Sequence, residues 1–345
     1  MPILPKSCIR TWPPSSPERR AAVLALLALA LCAAAALSLR CGSQDYSLAQ
    51  LLEALRSGDA DDPVRRTLFF VRIPRTVAAA LAGGALALSG ALMQAVLNNT
   101  MASPNVIGVN AGAGFAALLT ATFFPGAGRM PMASFLGAFL TALFIYLLAV
   151  RAGLSRTTLI LAGLAVSSIL TAGSNTITLL APDSLTGASS FMMGGFSGVT
   201  LAAVGRSGWY LAIGAALALF LSVELNVLQL GEESAASLGL HVGRVRFLAI
   251  LAAALLAGAA VSFSGLLGFV GLLVPHMTRR LVGSDNRWLL PAAALLGGAF
   301  VLICDVLARV LFAPFQLPVG IVMSLLGGPF FLYLLLRRKG GRVYA

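Results

Sequence analysis

The chain has little charge, and acidic charge is the scarcest. Charged residues make up 10% of its 345 residues, with 12 acidic side chains against 24 lysines and arginines. Hydrophobic residues make up 59%, and the mean hydropathy is +0.92. A soluble domain of this length needs a charged surface. The composition therefore excludes the soluble classes and indicates a protein that crosses a membrane many times.

Other rare features argue against a resident metal, a cofactor or a nucleotide site. The two histidines and four cysteines show no spacing typical of a metal site or a disulfide framework. No G-x-x-x-x-G-K-[ST] motif occurs, so any use of ATP must come through a partner. The basic residues cluster at the ends of apolar runs without interleaved aromatics, which favours membrane topology over nucleic-acid binding.

Ten apolar segments predict ten membrane-crossing helices, because most approach the ~20 residues that span a bilayer. They are 21–39, 76–98, 105–124, 132–150, 158–181, 208–228, 247–263, 266–282, 289–311 and 318–336. The segment 266–282 is the weakest, since Pro275, His276, Arg279 and Arg280 shorten its apolar part. We interpret it as a half-span packed against protein.

The distribution of lysine and arginine favours both termini on the inner side. The first apolar run follows Arg19-Arg20 but lacks a clean cleavage site after it, so we interpret it as a retained helix. The predicted organisation is a cytoplasmic tail at 1–20, a membrane domain at 21–337 and a second cytoplasmic tail at 338–345.

Two outer loops are predicted to contain short helices. Leucines at helical spacing indicate an amphipathic helix at Ser47–Arg56, and the excursion Pro182–Arg206 is long enough for another. Within the spans, Gly83 and Gly90 lie one heptad apart, which predicts close helix packing.

The segment Leu230–Arg246 is a polar island between two apolar spans. Gly231 can cap a short helix whose first turn carries Glu232 and Glu233, where acidic side chains favour the positive helix end. Gly239 supplies a left-handed stop. A plain connector needs only a few polar residues, so a capped, charged helix at the cytoplasmic face indicates a docking surface for a partner protein.

Charges inside the spans allow two interpretations. Asp305 and Arg309 are four residues apart and share a helix face, so they can form a structural ion pair. Alternatively, Arg309 joins Arg72 and Arg75 at the outer surface and receives acidic residues of an external protein. The residue pattern alone does not choose between the two. Glu224 is expected to reach the cytoplasmic interface.

A four-residue motif raises an enzymatic alternative. Gly195-Phe-Ser-Gly198 has the pattern of intramembrane serine proteases, with His276 as a conceivable base. The predicted topology puts Ser197 outside and His276 toward the inside, so the two would not meet. No other feature supports a protease.

Several sequence blocks occur in a fixed order over roughly residues 70–337. They are Arg72-Ile-Pro-Arg-Thr76, Ala82–Gln94, Ser103–Val109, Leu230-Gly-Glu-Glu233, Gly268–His276, Asp305-Val-Leu-Ala-Arg309 and Leu317–Ile321. Together these blocks resemble the permease family of ABC importers for iron chelates, haem and vitamin B12.

The resemblance implies an all-α polytopic protein of the bacterial cytoplasmic membrane with a type II ABC importer permease architecture. Such a subunit, surrounded by lipid, pairs with a second copy or a paralogue around a central pathway. Two cytoplasmic ABC ATPases would drive it, and an extracytoplasmic substrate-binding protein would deliver a metal chelate. A ferric siderophore is the first expectation, and haem or cobalamin the next. The subunit would perform no covalent chemistry itself.

The resemblance also assigns residues by position. Arg72, Arg75 and Arg309 match arginines that receive acidic residues of the binding protein. Asn99 and Met101 fall at the cytoplasmic gate, where Asn99-Thr-Met-Ala102 replaces the family's usual Asn-Pro-Leu-Ala. Within the coupling loop 230–246, the ATPase-coupling residues are Gly231, Glu232, Glu233, Ala235, Leu238, Gly239 and Leu240.

A gradient-driven secondary transporter is the main alternative. Such proteins often place acidic or broken-helix ion sites near the middle of the membrane. Asp305 is the clearest intramembrane acid, but it has a basic neighbour and lies toward one end of its span, which argues against a proton relay.

Overall fold

The computed structural model describes residues 16–42, 46–56, 61–124, 128–153, 155–313 and 315–338, and all of its regular structure is helical. The helices are α1 (Pro17–Arg40), α2 (Leu48–Arg56), α3 (Pro63–Thr67), α4 (Ile73–Val96), α5 (Val109–Phe123), α6 (Arg129–Arg151), α7 (Arg156–Leu180), α8 (Pro182–Met193), α9 (Leu201–Phe220), α10 (Ser222–Leu228), α11 (Glu232–Ser237), α12 (Val242–Ser264), α13 (Val270–Val282), α14 (Asn286–Val310) and α15 (Val319–Arg338). Most of the predicted N-terminal tail and nearly all of the C-terminal tail lie outside the described residues.

Each predicted apolar segment corresponds to one helix, except 208–228, which covers most of α9 and all of α10. Within the described residues, seven helices are long and apolar enough to cross a membrane, and α5 and the apolar part of α15 are shorter apolar helices. The remaining segment forms α13, whose 13 residues rise only about 20 Å at 1.5 Å per residue. This length fits the predicted half-span. The two predicted outer-loop helices are present as α2 and α8.

The helix α4 is the centre of the fold. Between Ala82 and Val96 every residue except Gly84 is buried, and α4 packs against α12, α13 and α14. Its glycines explain the close approach: a side chain at Gly83 would overlap the carbonyl of Gly297, and one at Gly90 would overlap the carbonyl of Gly271. Small residues let helix backbones meet in a membrane, where van der Waals packing drives association. The prediction from the glycine spacing is confirmed.

Two helices begin within the fold rather than at its edge. A 3-10 turn at Pro104–Ile107 precedes α5, and Gly108 takes a left-handed conformation (φ 70°) as its N-cap. Phe269, at the N-cap of α13, also has a positive φ of 65°. A bulky residue rarely adopts this conformation, so the packing around Phe269 must hold it. Its ring fills the space next to Gly327 of α15.

A polar cluster connects α1, α10 and the start of α14. Asp285 caps α14 and accepts hydrogen bonds from Arg20 at 3.4 Å and Asn226 at 2.8 Å. Nearby in sequence, Glu224 departs from the expectation that it reaches the cytoplasmic interface. Its Oε2 is buried and has no hydrogen-bond partner among the described residues. The short helix α10 begins at Ser222, so Glu224 lies on a packed helical turn.

Substitution of Gly90 by alanine is expected to destabilise the protein, because the new methyl group would collide with the backbone of α13. Overpacking of this kind costs about 1–3 kcal/mol. Thermal unfolding of the purified protein in detergent should therefore shift down by several degrees. Gly205→Ala on α9, which has open space around it, is the matched control. Equal melting temperatures for the two variants would contradict the role of Gly90 in packing.

Candidate functional site

A buried carboxylate joins the N-terminal end of α4 to the C-terminal end of α14. Asp305 is 0% exposed. Its Oδ1 accepts a hydrogen bond from Nε of Arg75 at 3.0 Å, and its Oδ2 lies 3.1 Å from Nη2 of Arg309. Arg75 also donates from Nη1 to Oε1 of Gln316 at 2.9 Å. Charge-assisted hydrogen bonds are the strong ones, and a buried carboxylate needs such partners.

Arg72 binds the C-terminal end of α1. Its Nη1 donates to the carbonyl oxygens of Leu39 and Arg40 at 2.6 and 2.7 Å, and its guanidinium lies 4.4 Å from the ring centroid of Tyr46. The last carbonyls of a helix have no intrahelical partner and carry the negative end of the helix dipole. Arg72 satisfies two groups at this helix end and stacks on an aromatic ring.

Arg309 binds the same end of α1 from the other side. Its Nη1 donates to the carbonyls of Ser38 and Cys41 at 3.2 and 2.9 Å, and its Nη2 donates to Oγ of Ser38 at 2.9 Å. The Ser38 hydroxyl also pairs with Oγ1 of Thr76 at 2.8 Å. One network therefore joins α1, α4 and α14.

The structure brings together the three arginines predicted for docking. The predicted Asp305–Arg309 ion pair is confirmed, and Arg75 joins it from a distant part of the sequence. The three arginines are only 4–6% exposed, and their guanidinium groups donate to acceptors within the chain. The network also includes three polar side chains that no sequence pattern predicted as site residues: Ser38, Thr76 and Gln316. A role in docking remains a prediction.

A cavity of about 330 Å³ opens next to this network. Arg75 and Gln316 reach its wall, and the other two arginines do not. The rest of the wall comes mainly from the end of α8 and the segment after it, the end of α12 and the residues before α15. Arg75 is thus the docking candidate that a partner side chain can approach through a preformed opening.

The coupling segment forms the predicted capped helix. Gly231 is the N-cap of α11, and the helix ends in a Schellman motif. In this motif the N–H of Leu240 donates to the carbonyl of Ala235 at 3.0 Å, and the N–H of Gly239 donates to the carbonyl of Ala236 at 2.9 Å. Gly239 has a φ of 84°. The predicted left-handed stop at Gly239 is confirmed.

The side chains of α11 divide into two groups. Ala235 is fully buried against the fold, whereas Leu238 is 66% exposed and Glu233 is exposed. Glu232 forms a bidentate ion pair with Arg246, at 3.1 and 2.8 Å. The pair fixes α11 on the second turn of α12. Glu232 therefore positions the helix, while Leu238 presents an apolar side chain that the chain itself does not cover.

The two predicted gate residues lie in the turn after α4. Asn98 takes a left-handed conformation (φ 44°) and closes a second Schellman motif, in which Asn99 N–H donates to the carbonyl of Gln94 at 3.0 Å. Oδ1 of Asn99 accepts from the N–H of Met101 at 2.9 Å. The Asn99 side chain thus orders the turn locally, even though threonine replaces the proline usual in the family. The gate assignment itself remains a prediction.

The two residues of the protease alternative occupy different surroundings. Ser197 lines the outer cavity beyond α8. His276 lies on α13, and its Nε2 is 3.3 Å from Nη2 of Arg280 one turn further along. This arrangement gives the protease interpretation no support.

Comparison with known proteins identifies the family. The model of the FecCD transport family matches residues 27–337. The chain is 38% identical over 326 residues to the iron(3+)-hydroxamate import system permease protein FhuB of Bacillus subtilis, covering 93% of this chain and 85% of that protein. It is 40% identical to the cobalamin import system permease protein BtuC of Halobacterium salinarum, covering 78% and 73%.

A solved structure shows the same fold. A chain of a metal-chelate type ABC transporter in an inward-facing conformation superposes with a TM-score of 0.81 at 28% identity, covering 92% of this chain and 99% of that one. Fold and sequence together define a multi-pass transmembrane permease subunit of an ABC importer. The chain belongs to the FecCD transport family.

Asp305→Asn is expected to destabilise the protein strongly, because it leaves Arg75 and Arg309 buried without their counter-charge. Breaking a buried ion pair from one side costs about 3–5 kcal/mol. Thermal unfolding in detergent measures the loss. Asp61→Asn is the matched control, since Asp61 pairs with Arg66 in an exposed position where such pairs contribute little. A melting temperature for Asp305→Asn equal to that of the control would exclude a stabilising role for the buried pair.

Proposed function

We propose that this chain forms the transmembrane pathway of an ATP-driven importer for a metal chelate, with a ferric siderophore as the first candidate and haem or cobalamin as the next. The family and the named functions of the relatives support this proposal. The protein lies in the bacterial cytoplasmic membrane with both termini in the cytoplasm.

The observation that carries the proposal is a polar face on α7. Ser168, Thr171, Asn175 and Thr176 are all exposed, within a helix that is long and apolar enough to cross a membrane. The three hydroxyls hydrogen-bond to carbonyls one turn earlier, so lipid could tolerate them. The amide of Asn175 is costly in hydrocarbon. A face carrying Asn175 therefore suits the wall of a water-filled pathway.

The pathway needs a second wall. Large apolar side chains are also exposed on α7 and α15, among them Leu161, Leu164, Leu325 and Leu332. A second copy of the chain, or a paralogue, would cover part of this surface and enclose the polar face of α7 between the two subunits. Asn99 and Met101, in the turn at the inner end of α4, would narrow the pathway on the cytoplasmic side.

Energy would come from two cytoplasmic ABC ATPases that dock on α11. The exposed Leu238 provides the apolar contact, and the Glu232–Arg246 pair transmits the push to α12. The helix begins after Gly231 and ends before Gly239. The side chains of Ala235 and Leu240 anchor it to the rest of the fold. The exposed Glu233 contributes solubility. Alternating access would follow from movement of α11 and α12 together.

An extracytoplasmic binding protein would deliver the chelate at the outer end, where Arg72, Arg75 and Arg309 are its docking residues. Arg75 can be reached through the outer cavity. Arg72 and Arg309 already donate hydrogen bonds to carbonyl groups at the end of α1. Docking through Arg72 and Arg309 therefore requires the outer end of α1 to move, which would link arrival of the binding protein to opening of the pathway.

ATP-driven uptake tests the proposal. Cells without their own chelate permeases, expressing this chain with its ATPase and binding protein, should accumulate a radiolabelled ferric hydroxamate, haem or cobalamin. Leu238→Glu is expected to lower uptake by at least tenfold because it puts a charge into the apolar ATPase contact, whereas Glu233→Ala should retain most of it. Uptake that continues with a catalytically inactive ATPase and stops on collapse of the proton gradient would favour the secondary transporter instead.

Docking is tested by removing charge at the outer end. The Arg72→Gln, Arg75→Gln and Arg309→Gln triple variant should bind the binding protein at least about tenfold more weakly, a loss of roughly 1.4 kcal/mol. Because the variant also leaves the buried Asp305 without its counter-charges, its melting temperature should fall, and the folded fraction should still co-purify with the ATPase. Arg129→Gln, also at the outer end, is the control and should bind normally. Unchanged affinity in a folded triple variant would refute the docking assignment.

A further inference from the structure

The short helix α10, which precedes α11, is hydrogen-bonded to the start of α14. Nδ2 of Asn226 on α10 donates to Oδ1 of Asp285 at 2.8 Å. Oδ1 of Asn226 accepts from the backbone N–H of Asn286 at 2.8 Å and from Nδ2 of Asn286 at 2.9 Å. One side chain of α10 therefore makes three hydrogen bonds to α14. We call Asn226, Asp285 and Asn286 the α10–α14 contact.

The α10–α14 contact completes the N-terminal end of α14. Asp285 is the N-cap and accepts from the N–H of Arg287 at 3.1 Å. The first N–H groups of a helix have no partner within the helix, and Asn226 supplies the acceptor for the N–H of Asn286. Asn286 is fully buried, and a buried N–H without an acceptor is costly. Residues of two helices thus build this cap, and separation of α10 from α14 would break it.

Two links connect α11 to the long helices of the fold. The Glu232–Arg246 pair leads to α12, but the side chain of Glu232 is 57% exposed, and exposed ion pairs contribute little. The second link runs through α10, which lies three residues before α11. Leu225 and Leu228 of α10 are buried. The second link is therefore the better protected of the two, and it leads to a different helix, α14.

The helix α14 connects this contact to the arginine network. Asp285 and Asp305 are 20 residues apart, which is about 30 Å along a helix at 1.5 Å per residue. Pro291 removes one hydrogen bond, yet α14 continues to its C-terminal end as one helix. There Asp305 binds Arg75, and Arg309 binds the end of α1. One continuous helix therefore joins the α10–α14 contact to two of the docking candidates.

We propose that Asn226 is a positioning residue that couples α11 to the docking arginines through the α10–α14 contact and α14. This inference rests on the proposed importer function. An ATPase that moves α11 would move α10 with it, and the α10–α14 contact would pass this displacement along α14 to Arg75 and Arg309. Coupling between two binding sites is reciprocal. ATP on the ATPase must then change the affinity for the binding protein, and loss of the Asn226 hydrogen bonds must reduce that change.

The affinity of the binding protein with and without ATP tests this coupling. The purified complex contains this chain and an ATPase with an inactivated catalytic base, which binds ATP without hydrolysing it. We expect ATP to change the dissociation constant of the binding protein at least tenfold in the unmodified complex and less than threefold with Asn226→Ala. The constant without ATP should stay within twofold. Asn110→Ala, which removes an asparagine hydrogen bond elsewhere in the fold, is the matched control and should retain the full ATP effect.

An exchange of side chains separates coupling from stability. Asn226→Asp alone places two carboxylates within hydrogen-bond distance and should reduce the ATP effect as Asn226→Ala does. Asn226→Asp combined with Asp285→Asn again sets a donor opposite an acceptor, and asparagine is also a good N-cap residue. The double variant should therefore recover at least half of the original ATP effect.

Three results would overturn the proposal: no ATP effect in the unmodified complex, a full effect in folded Asn226→Ala, or no recovery in a folded double variant. If Asn226→Ala does not assemble, Asn226→Asp and the double variant provide the same test. The measurement needs neither chelate nor transport. An unchanged ATP effect in the Asn226 variants would leave the uptake experiment untouched, whereas a chain that binds no ATPase would refute the proposed function itself.

Discussion

Hydrocarbon offers no water to the polar groups of a broken helix, and this constraint governs the structure. Every helix end within the membrane must find a partner inside the protein. Arg72 and Arg309 bind the last carbonyls of α1, and the ends of α8 and α12 bind each other. Satisfied this way, interrupted helices let the chain turn inside the membrane and form cavities, which an uninterrupted bundle would not contain.

The same constraint distinguishes the residues that hold the fold together from the residues proposed to act in transport. The Asp305 network is closed on itself and nearly inaccessible, which suits a joint between α1, α4 and α14. By contrast, Leu238 on α11 is an apolar side chain exposed on a polar segment, and Asn175 on α7 is a polar side chain exposed on an apolar helix. Neither exposure is favourable in a lone subunit. In the proposed importer, a partner on the inner face would cover Leu238, and a water-filled pathway between subunits would hydrate Asn175. The Asp305 network holds the outer end of the lone subunit together, and the exposed inner helix is the driven end of the proposed importer.

Local features were predictable from the sequence, and contacts between distant segments were not. Hydropathy predicted the helices, Gly239 predicted the end of α11, and the spacing of Asp305 and Arg309 predicted their pair, because each depends on neighbouring residues. The link from Arg75 to Asp305 joins positions 230 residues apart, and no periodicity encodes it. The burial of the three arginines was missed for the same reason, since Arg72 and Arg309 donate to backbone carbonyls at the end of α1 and Arg75 donates to Asp305 and Gln316.

The central claim is that α7 lines a water-filled pathway, and one measurement tests it most directly. Asn175→Cys should react quickly with a small water-soluble thiol reagent in reconstituted membranes. Cys32 provides a control within the chain, because it is exposed on the apolar helix α1, where it lies eight residues before the helix end at Arg40; Asn175 lies five residues before the end of α7 at Leu180. If α7 lines a water-filled pathway, labelling of Asn175→Cys should be at least ten times faster than labelling of Cys32. Equal, slow labelling at both positions would place α7 against lipid and contradict the account.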